Sequence, residues 1–267
     1  MLSHLFNAAL VAYVLAMLLA VVRLFVPRRA LDVTATALMT LGGVALTVYM
    51  GVRWAQAGRA PFSNMFESIV LFGWTIPWVS LLLRWRLQSP PALTAATALL
   101  AVLLLVYASA FLSSEIRPLM PALRSNWLTF HVLTCLISYG AFAVAFLAAV
   151  LFLVVSRPAS KMDAGDRELF ATIMCRTVSF GFLFIVLGIA TGAVWANVAW
   201  GTYWSWDPKE TWSLITALIY AMFLHCRYMR GWQGRRLAWV AILGFISVLV
   251  TYLGVNFLMK GLHSYAT

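Results

Sequence analysis

Between two long apolar segments the sequence runs Trp195, Asn197, Trp200, Gly201, Tyr203, Trp204, Trp206, Asp207, Pro208, Lys209, Glu210 and Trp212, setting five tryptophans and a tyrosine beside two acids and a lysine. Indole and phenol rings supply large, stiff, flat contact area with one apolar and one polar end, so this stretch suits a binding surface. Part of it has a plainer origin. Asp207, then Pro208, then Glu210 is the pattern of a helix start, with Asp207 as N-cap, Pro208 at the first helical position and Glu210 at the third. An interfacial aromatic belt accounts for some of the indoles. It does not account for so many in one short connection.

The residues around this stretch must position it. Of 267 residues, 63% are hydrophobic and 10% charged, with a mean hydropathy of +0.91. A soluble domain of this size excludes such a composition, and the fold class expected is an all-α, polytopic membrane protein. Crossing about 30 Å of hydrocarbon takes roughly 20 helical residues. About eight transmembrane helices are expected, over Leu2–Val26, Val33–Val52, Phe66–Leu83, Ala92–Leu112, Trp127–Val155, Arg176–Ala196, Thr211–Met229 and Leu237–Leu258. Residues 1–267 read as a single membrane domain, with the aromatic segment at about 195–212 inside it. The connection from Ser156 to Cys175 reads as a solvated loop.

Basic residues set the orientation, because cytoplasmic connections retain them. One set of connections holds 13 of the 19 Lys and Arg (Arg23, Arg28, Arg29, Arg84, Arg86, Arg157, Lys161, Arg167, Arg176, Arg227, Arg230, Arg235 and Arg236) and the other holds 6. Both termini and the aromatic stretch are therefore expected on the outer, periplasmic side. The first helix has no basic residue ahead of it and so lacks the form of a cleavable signal peptide. The net charge of +11 follows mainly from this topology signal and does not indicate nucleic-acid binding. Cys135, Cys175 and Cys226 form no Cys-x-x-Cys pair, so neither a disulfide framework nor a zinc site is implied, and the chain does not itself carry covalently attached haem.

Four histidines remain as candidate ligands. His4 stands at the outer end of the first helix, where a terminal histidine is most often without a site role. His131 lies about 7 Å along the fifth helix from Asn126, near the outer surface. His263 follows the eighth helix, returning to the same side. His225 lies ~22 Å below Glu210 on the seventh helix, within the inner half of the bilayer, where an ionisable group is costly and usually functional. Two histidines and a slab of indoles on one surface fit a planar, apolar ligand with a metal centre. Imidazoles would ligate from opposite faces, rings would pack on the plane, and Lys or Arg would meet acidic edges. That describes haem. A packed vestibule with two unrelated surface histidines fits the same residues, and these observations alone leave both open. Ahead of the third helix, Arg53, Arg59, Pro61, Ser63, Asn64 and Glu67 read as a helix cap, or as the lining of a cavity for a polar group.

The run Trp200-Gly201-Thr202-Tyr203-Trp204-Ser205-Trp206-Asp207-Pro208-Lys209-Glu210 resembles the tryptophan-rich WWD signature of haem-handling membrane proteins. Its companions resemble the CcsA/ResC family of cytochrome c-type biogenesis proteins (system II). They are Pro61 to Ser68, Ser125-Asn126-Trp127 ahead of His131, His225 after the signature, and Gly254-Val255-Asn256 ahead of Gly261-Leu262-His263. The resemblance implies cytochrome c maturation: with a CcsB/ResB-type partner, haem b is moved across the membrane and presented for thioether attachment to an apocytochrome c bearing Cys-x-x-Cys-His. It implies His131 and His263 as axial ligands of an outer haem, and His225 as a ligand of an intramembrane haem shared with the partner. Trp195, Trp200, Tyr203, Trp204, Trp206 and Asp207 are then the cofactor-binding surface. The chain would be a subunit of a holocytochrome c synthase (haem lyase-type) complex that orients substrates without a nucleophile of its own. The membrane would be a bacterial inner membrane or a thylakoid. Two other readings are a b-type haem electron carrier, which needs facing histidine pairs in the bilayer, and an aromatic-lined transporter without haem chemistry.

Overall fold

The computed structural model describes residues 1–87, 89–120, 123–156, 164–259 and 261–262, which form helices and connections with no β-strand among them. The chain contacts divide it into two compact units, Met1–Arg117 and Pro118–Thr267.

The first unit consists of α1 (Leu2–Phe25), α2 (Arg29–Ala57), α3 (Met65–Arg86) and α4 (Pro91–Phe111). α1 packs on α2 and α4, and α3 packs on the same two helices. The buried face of α1 is Phe6, Ala9, Tyr13, Ala16 and Ala20, spaced three or four residues apart. Lipid gives helices no hydrophobic reason to associate, so close backbone approach over small residues has to supply the contact. Ala16 meets Met39, Leu81 and Ala98 in one such cluster. Leu15, Leu18, Val22, Val44 and Leu103 are exposed, as a lipid-facing surface would be.

The second unit holds α5 (Asn126–Val155), α6 (Ala164–Trp200), α7 (Pro208–Tyr228) and α8 (Gly234–Leu249), which passes through a π-helical turn at Val250–Gly254 into the short α9 (Val255–Leu258). α5 runs along α6 and α8, and α7 packs on α6 and α8. Every residue of α5 from Ser138 to Ala145 is buried, so the middle of this helix is covered on all sides. There Phe142 stacks on Tyr220 with ring centroids 3.5 Å apart, and Phe146 on Phe245 at 4.8 Å.

Among the described residues seven helices are long and apolar enough to cross a membrane, which makes this a multi-pass membrane protein. The eighth expected crossing corresponds to α7. That helix has 21 residues but falls outside the seven, because Thr211, Ser213, Thr216, His225 and Arg227 dilute its apolar content. α6 also departs from expectation, beginning at Ala164 where a solvated loop was expected as far as Cys175. Phe170, Ala171, Ile173 and Met174 are buried while Arg167 and Glu168 are exposed, so this stretch of helix is amphipathic. At its other end α6 continues past the expected Ala196 to Trp200, which puts Trp200 as well as Trp195 on the helix.

Candidate functional site

α5 begins where the Ser125 hydroxyl accepts the Trp127 N–H at 3.2 Å, and its first turns bring up Trp127, Phe130 and His131. Trp127 and Phe130 are exposed; His131 is half-buried. The His131 Nδ1 lies 2.8 Å from the Gly188 carbonyl oxygen of α6. A carbonyl can only accept, so Nδ1 carries the proton. Histidines that bind metals are oriented in this way, by a partner on the other nitrogen. The His131 ring lies nearly parallel to Trp195, with centroids 6.0 Å apart and planes at 13°. Trp195 is 2% exposed and packs with Leu123 and Leu128, while Trp200 meets it edge-on at 4.8 Å.

Two glycines of α6 permit this approach. A Cβ at Gly192 would stand 2.6 Å from His131 Nδ1, and one at Gly188 would stand 2.6 Å from Cys135 Sγ. Gly188-x-x-x-Gly192 is a small-residue spacing of the kind that brings membrane helices together. It was the legible signal for this contact.

Past α6 the chain turns at Gly201 (φ 79) and again at Trp206, whose φ of 59 is uncommon for a residue with a side chain. Such a conformation costs on the order of 1–3 kcal/mol and persists only where its surroundings enforce it. Here they do. The Glu210 carboxylate accepts from the Ser205 N–H at 2.8 Å and the Asp207 N–H at 3.2 Å, and Asp207 accepts from the Lys209 N–H at 3.1 Å. The expected capping box is present, and it fixes the loop as well as the helix. Tyr203 and Trp206 are 60% and 68% exposed, and Trp204, half-buried, lies edge-on to Trp206 at 5.7 Å.

The start of α7 is also tied to the end of the chain. The Leu262 N–H donates to Asp207 Oδ1 at 2.6 Å. The Lys209 ammonium donates to Asn256 Oδ1 at 2.8 Å, and the Asn256 amide donates to the Tyr252 carbonyl at 2.6 Å. His263 lies outside the described residues. His225 is exposed near the C-terminal end of α7, and His4 is exposed at the start of α1. Among the described residues no three His, Cys, Asp or Glu side chains converge as a metal site.

In the first unit the expected cap is present, with Asn64 Oδ1 accepting the Glu67 N–H at 2.8 Å. The Glu67 carboxylate goes further. It pairs with Arg53 at 3.0 Å and with Arg59 at 2.9 Å, and both Arg53 and Glu67 are 2% exposed. The arginines extend to backbone carbonyls, Arg53 to Ser114 at 2.9 Å and Arg59 to Arg117 at 3.2 Å. Arg59 also bonds the Ser63 hydroxyl. These charges serve one another and the connection at 114–117, where sequence reasoning had allowed a lined cavity.

These features define a class: a polytopic helical membrane protein with an aromatic connection between two helices and a histidine whose Nδ1 is held by the helix leading into that connection. Residues 62–263 match the model of the cytochrome C assembly protein family. Over 264 residues the chain is 39% identical to the cytochrome c biogenesis protein CcsA of Prochlorococcus marinus (strain MIT 9313), covering 86% of this chain and 83% of that one. It is 40% identical over 259 residues to the CcsA of Synechococcus sp. (strain CC9902), covering 85% of each. It is 37% identical over 250 residues to that of Guillardia theta, covering 84% and 83%. The chain belongs to the cytochrome c assembly family, within its CcsA/ResC branch. A solved structure titled Cytochrome c Heme Lyase CcmF superposes with a TM-score of 0.74 at 18% identity, over 97% of this chain and 46% of that one. At that identity the likeness is one of fold, and this chain spans a little under half of the other's length.

Proposed function

We propose that this protein acts in cytochrome c maturation as the haem-presenting subunit of a holocytochrome c synthase. In this reading haem b is its substrate, a CcsB/ResB-type membrane protein its partner, and an apocytochrome c with a Cys-x-x-Cys-His motif the acceptor. The observation that carries the reading is His131: Nδ1 is held by the Gly188 carbonyl at 2.8 Å and the ring stacks on a buried Trp195, the way a metal-binding histidine is oriented through its other nitrogen. His263 is the second outer ligand. Tyr203, Trp204 and Trp206 supply aromatic surface for the macrocycle, with Trp195 and Trp200 behind His131 and Asp207 anchoring the loop. His225, exposed on α7, is the ligand of an inner haem whose other side the partner covers.

The reaction is addition of each acceptor thiol across a haem vinyl group. The sulfur bonds to one vinyl carbon, its proton goes to the other, and no net oxidation occurs. No nucleophile is required of this chain, which orients the two substrates. α7 serves as the eighth crossing, its polar residues tolerated because α6 and α8 cover it. The 13-to-6 division of basic residues then puts both termini and the aromatic loop outside a bacterial inner or thylakoid membrane.

The test is to purify the full chain with and without its partner and record haem spectra for wild type and the alanine variants of His131, His225 and His263. His131→Ala and His263→Ala are expected to lose low-spin haem at the outer site and to cut cytochrome c assembly, with added imidazole restoring part of both. His225→Ala should remove a second haem that appears only with the partner. Unchanged spectra and normal assembly in the outer-site variants would leave an aromatic-lined transporter as the better description.

A further inference from the structure

The face of α5 that carries His131 runs through Trp127, His131 and Cys135, each one turn from the next and so aligned along the helix. On the C-terminal side of the histidine this face is filled. A Cβ at Gly188 would stand 2.6 Å from Cys135 Sγ, and one at Gly192 would stand 2.6 Å from His131 Nδ1, so α6 lies directly against both residues. Cys135 Sγ is itself 3.7 Å from His131 Nδ1. The pairs 135 with 188 and 131 with 192 make the two helices antiparallel, and the same register brings Trp127 level with Ala196. On this N-terminal side the face changes character. Leu128 packs inward with Leu123 and Trp195, whereas Trp127 remains 43% exposed. Packing covers little more than half of a large aromatic side chain.

The histidine is aimed toward that side chain. Cα–Cβ bonds in a helix tilt toward the N-terminus, so a side chain covers the turn before its own. For His131 that turn begins at Trp127. The anchoring bond agrees with this direction. Nδ1 is held at 2.8 Å by the carbonyl of Gly188, which stands at the level of Cys135, one turn toward the C-terminal end. Nε2, on the other edge of the ring, is thereby turned toward the N-terminal end of α5.

We infer that Trp127 is a haem-contacting residue, a ring supplied by α5 that lies against the macrocycle in addition to the rings of the loop at 203–206. The inference rests on the reading of His131 as an iron ligand. A macrocycle ligated through Nε2 lies across the direction in which the imidazole points, and Trp127 stands ~6 Å along the helix in that direction. Its uncovered indole surface is then buried by the substrate, and the large, stiff face suits a flat apolar ring. The plainer role of an exposed tryptophan near a helix end is interfacial anchoring. α5 carries a control for that role: Phe130 is more exposed, at 56%, but adjacent residues do not share a helix face, so it anchors without meeting the ligand of His131.

Trp127→Ala, Trp127→Phe, Phe130→Ala and His131→Ala are to be produced as the full chain with its partner. Each is titrated with haem b and followed by absorption spectroscopy, and the haem-free proteins are compared by thermal unfolding in detergent. Trp127→Ala is expected to weaken haem binding on the order of 10-fold, the upper end of what one aromatic contact supplies. Its haem should stay low-spin, because the iron ligand is untouched, and its haem-free unfolding temperature should match wild type. Trp127→Phe, which keeps an aromatic face, and Phe130→Ala should both bind haem as wild type does. Wild-type affinity in Trp127→Ala, beside loss of low-spin haem in His131→Ala, refutes the contact and leaves the ligand reading standing. Equal weakening in Trp127→Ala and Phe130→Ala also refutes it, in favour of anchoring. If His131→Ala changes nothing, both readings fall. Should Trp127→Ala fail to accumulate, Trp127→Leu, which keeps an apolar group at the interface but no ring, decides by the same criteria.

Discussion

Substitution of Gly192 by alanine adds one methyl at the point where α6 touches the His131 ring, 2.6 Å from Nδ1 and 2.7 Å from Cε1. Carbon–carbon contacts are comfortable from about 3.5 Å, so the ring must retreat by ~0.8 Å. The Gly188 carbonyl that receives Nδ1 lies on the same helix, so retreat lengthens this bond too, from 2.8 Å to ~3.6 Å, which is no longer a hydrogen bond. The tautomer is then unspecified and Nε2 is free to take the proton. Stability should change little: overpacking costs about 1–3 kcal/mol, and replacing a helical glycine returns about 1 kcal/mol. Haem affinity should fall by about 10–100-fold, the range seen when a ligand histidine loses its supporting contact. Titration of the purified complex with haem, followed by absorbance, measures this directly. Gly51→Ala is the control, since a Cβ there meets nothing within 4 Å. Wild-type affinity and a low-spin spectrum in Gly192→Ala would show that the Gly188 bond does not prepare His131 for iron.

Further substitutions at two positions follow from the charges and the strained backbone. Glu67→Ala leaves Arg53, with a side chain 3% exposed, buried without its carboxylate, and should destabilise the first unit by about 3–5 kcal/mol. Glu67→Gln, which keeps an acceptor oxygen, should cost less; thermal unfolding in detergent orders the two, and equal, small effects would refute the buried-pair account. Trp206→Gly relaxes a φ of 59 and should leave the unfolding temperature unchanged or slightly raised. The same change should lower cytochrome c maturation, because the indole it removes is 68% exposed and so contributes to the surface more than to the core. Maturation at the wild-type level would exclude Trp206 from the haem surface.

What could be read from the sequence differs by the range of the interaction involved. Helix existence depends on local apolarity, and the helices stand where the apolar runs predict. The Asp207–Glu210 capping box spans three residues and was legible in full. α7 was expected as a span although Thr216 and Tyr220 dilute its apolarity, and both of them are buried. The extension of α6 over 164–175 was hidden because its charged residues dominate a hydropathy average, although Phe170, Ile173 and Met174 keep a helical spacing. Contacts between distant residues were not legible. Nothing near Glu67 announces that two arginines converge on it, and nothing near Asp207 announces Leu262.

That last contact changes what the aromatic stretch is for. As a sequence it is a slab of indoles followed by a helix cap, two features with separate explanations. In the fold they share atoms: Glu210 holds Ser205 and Asp207, Asp207 holds Leu262, and Lys209 holds Asn256. A polar cluster of this kind costs little at the edge of a membrane, where water reaches its rim, and would be prohibitive deeper in the hydrocarbon. It therefore belongs at the helix end. The rings supply area, and the carboxylates set where it lies: Glu210 fixes the N–H groups on either side of Trp206, and Asp207 ties the end of the loop to Leu262.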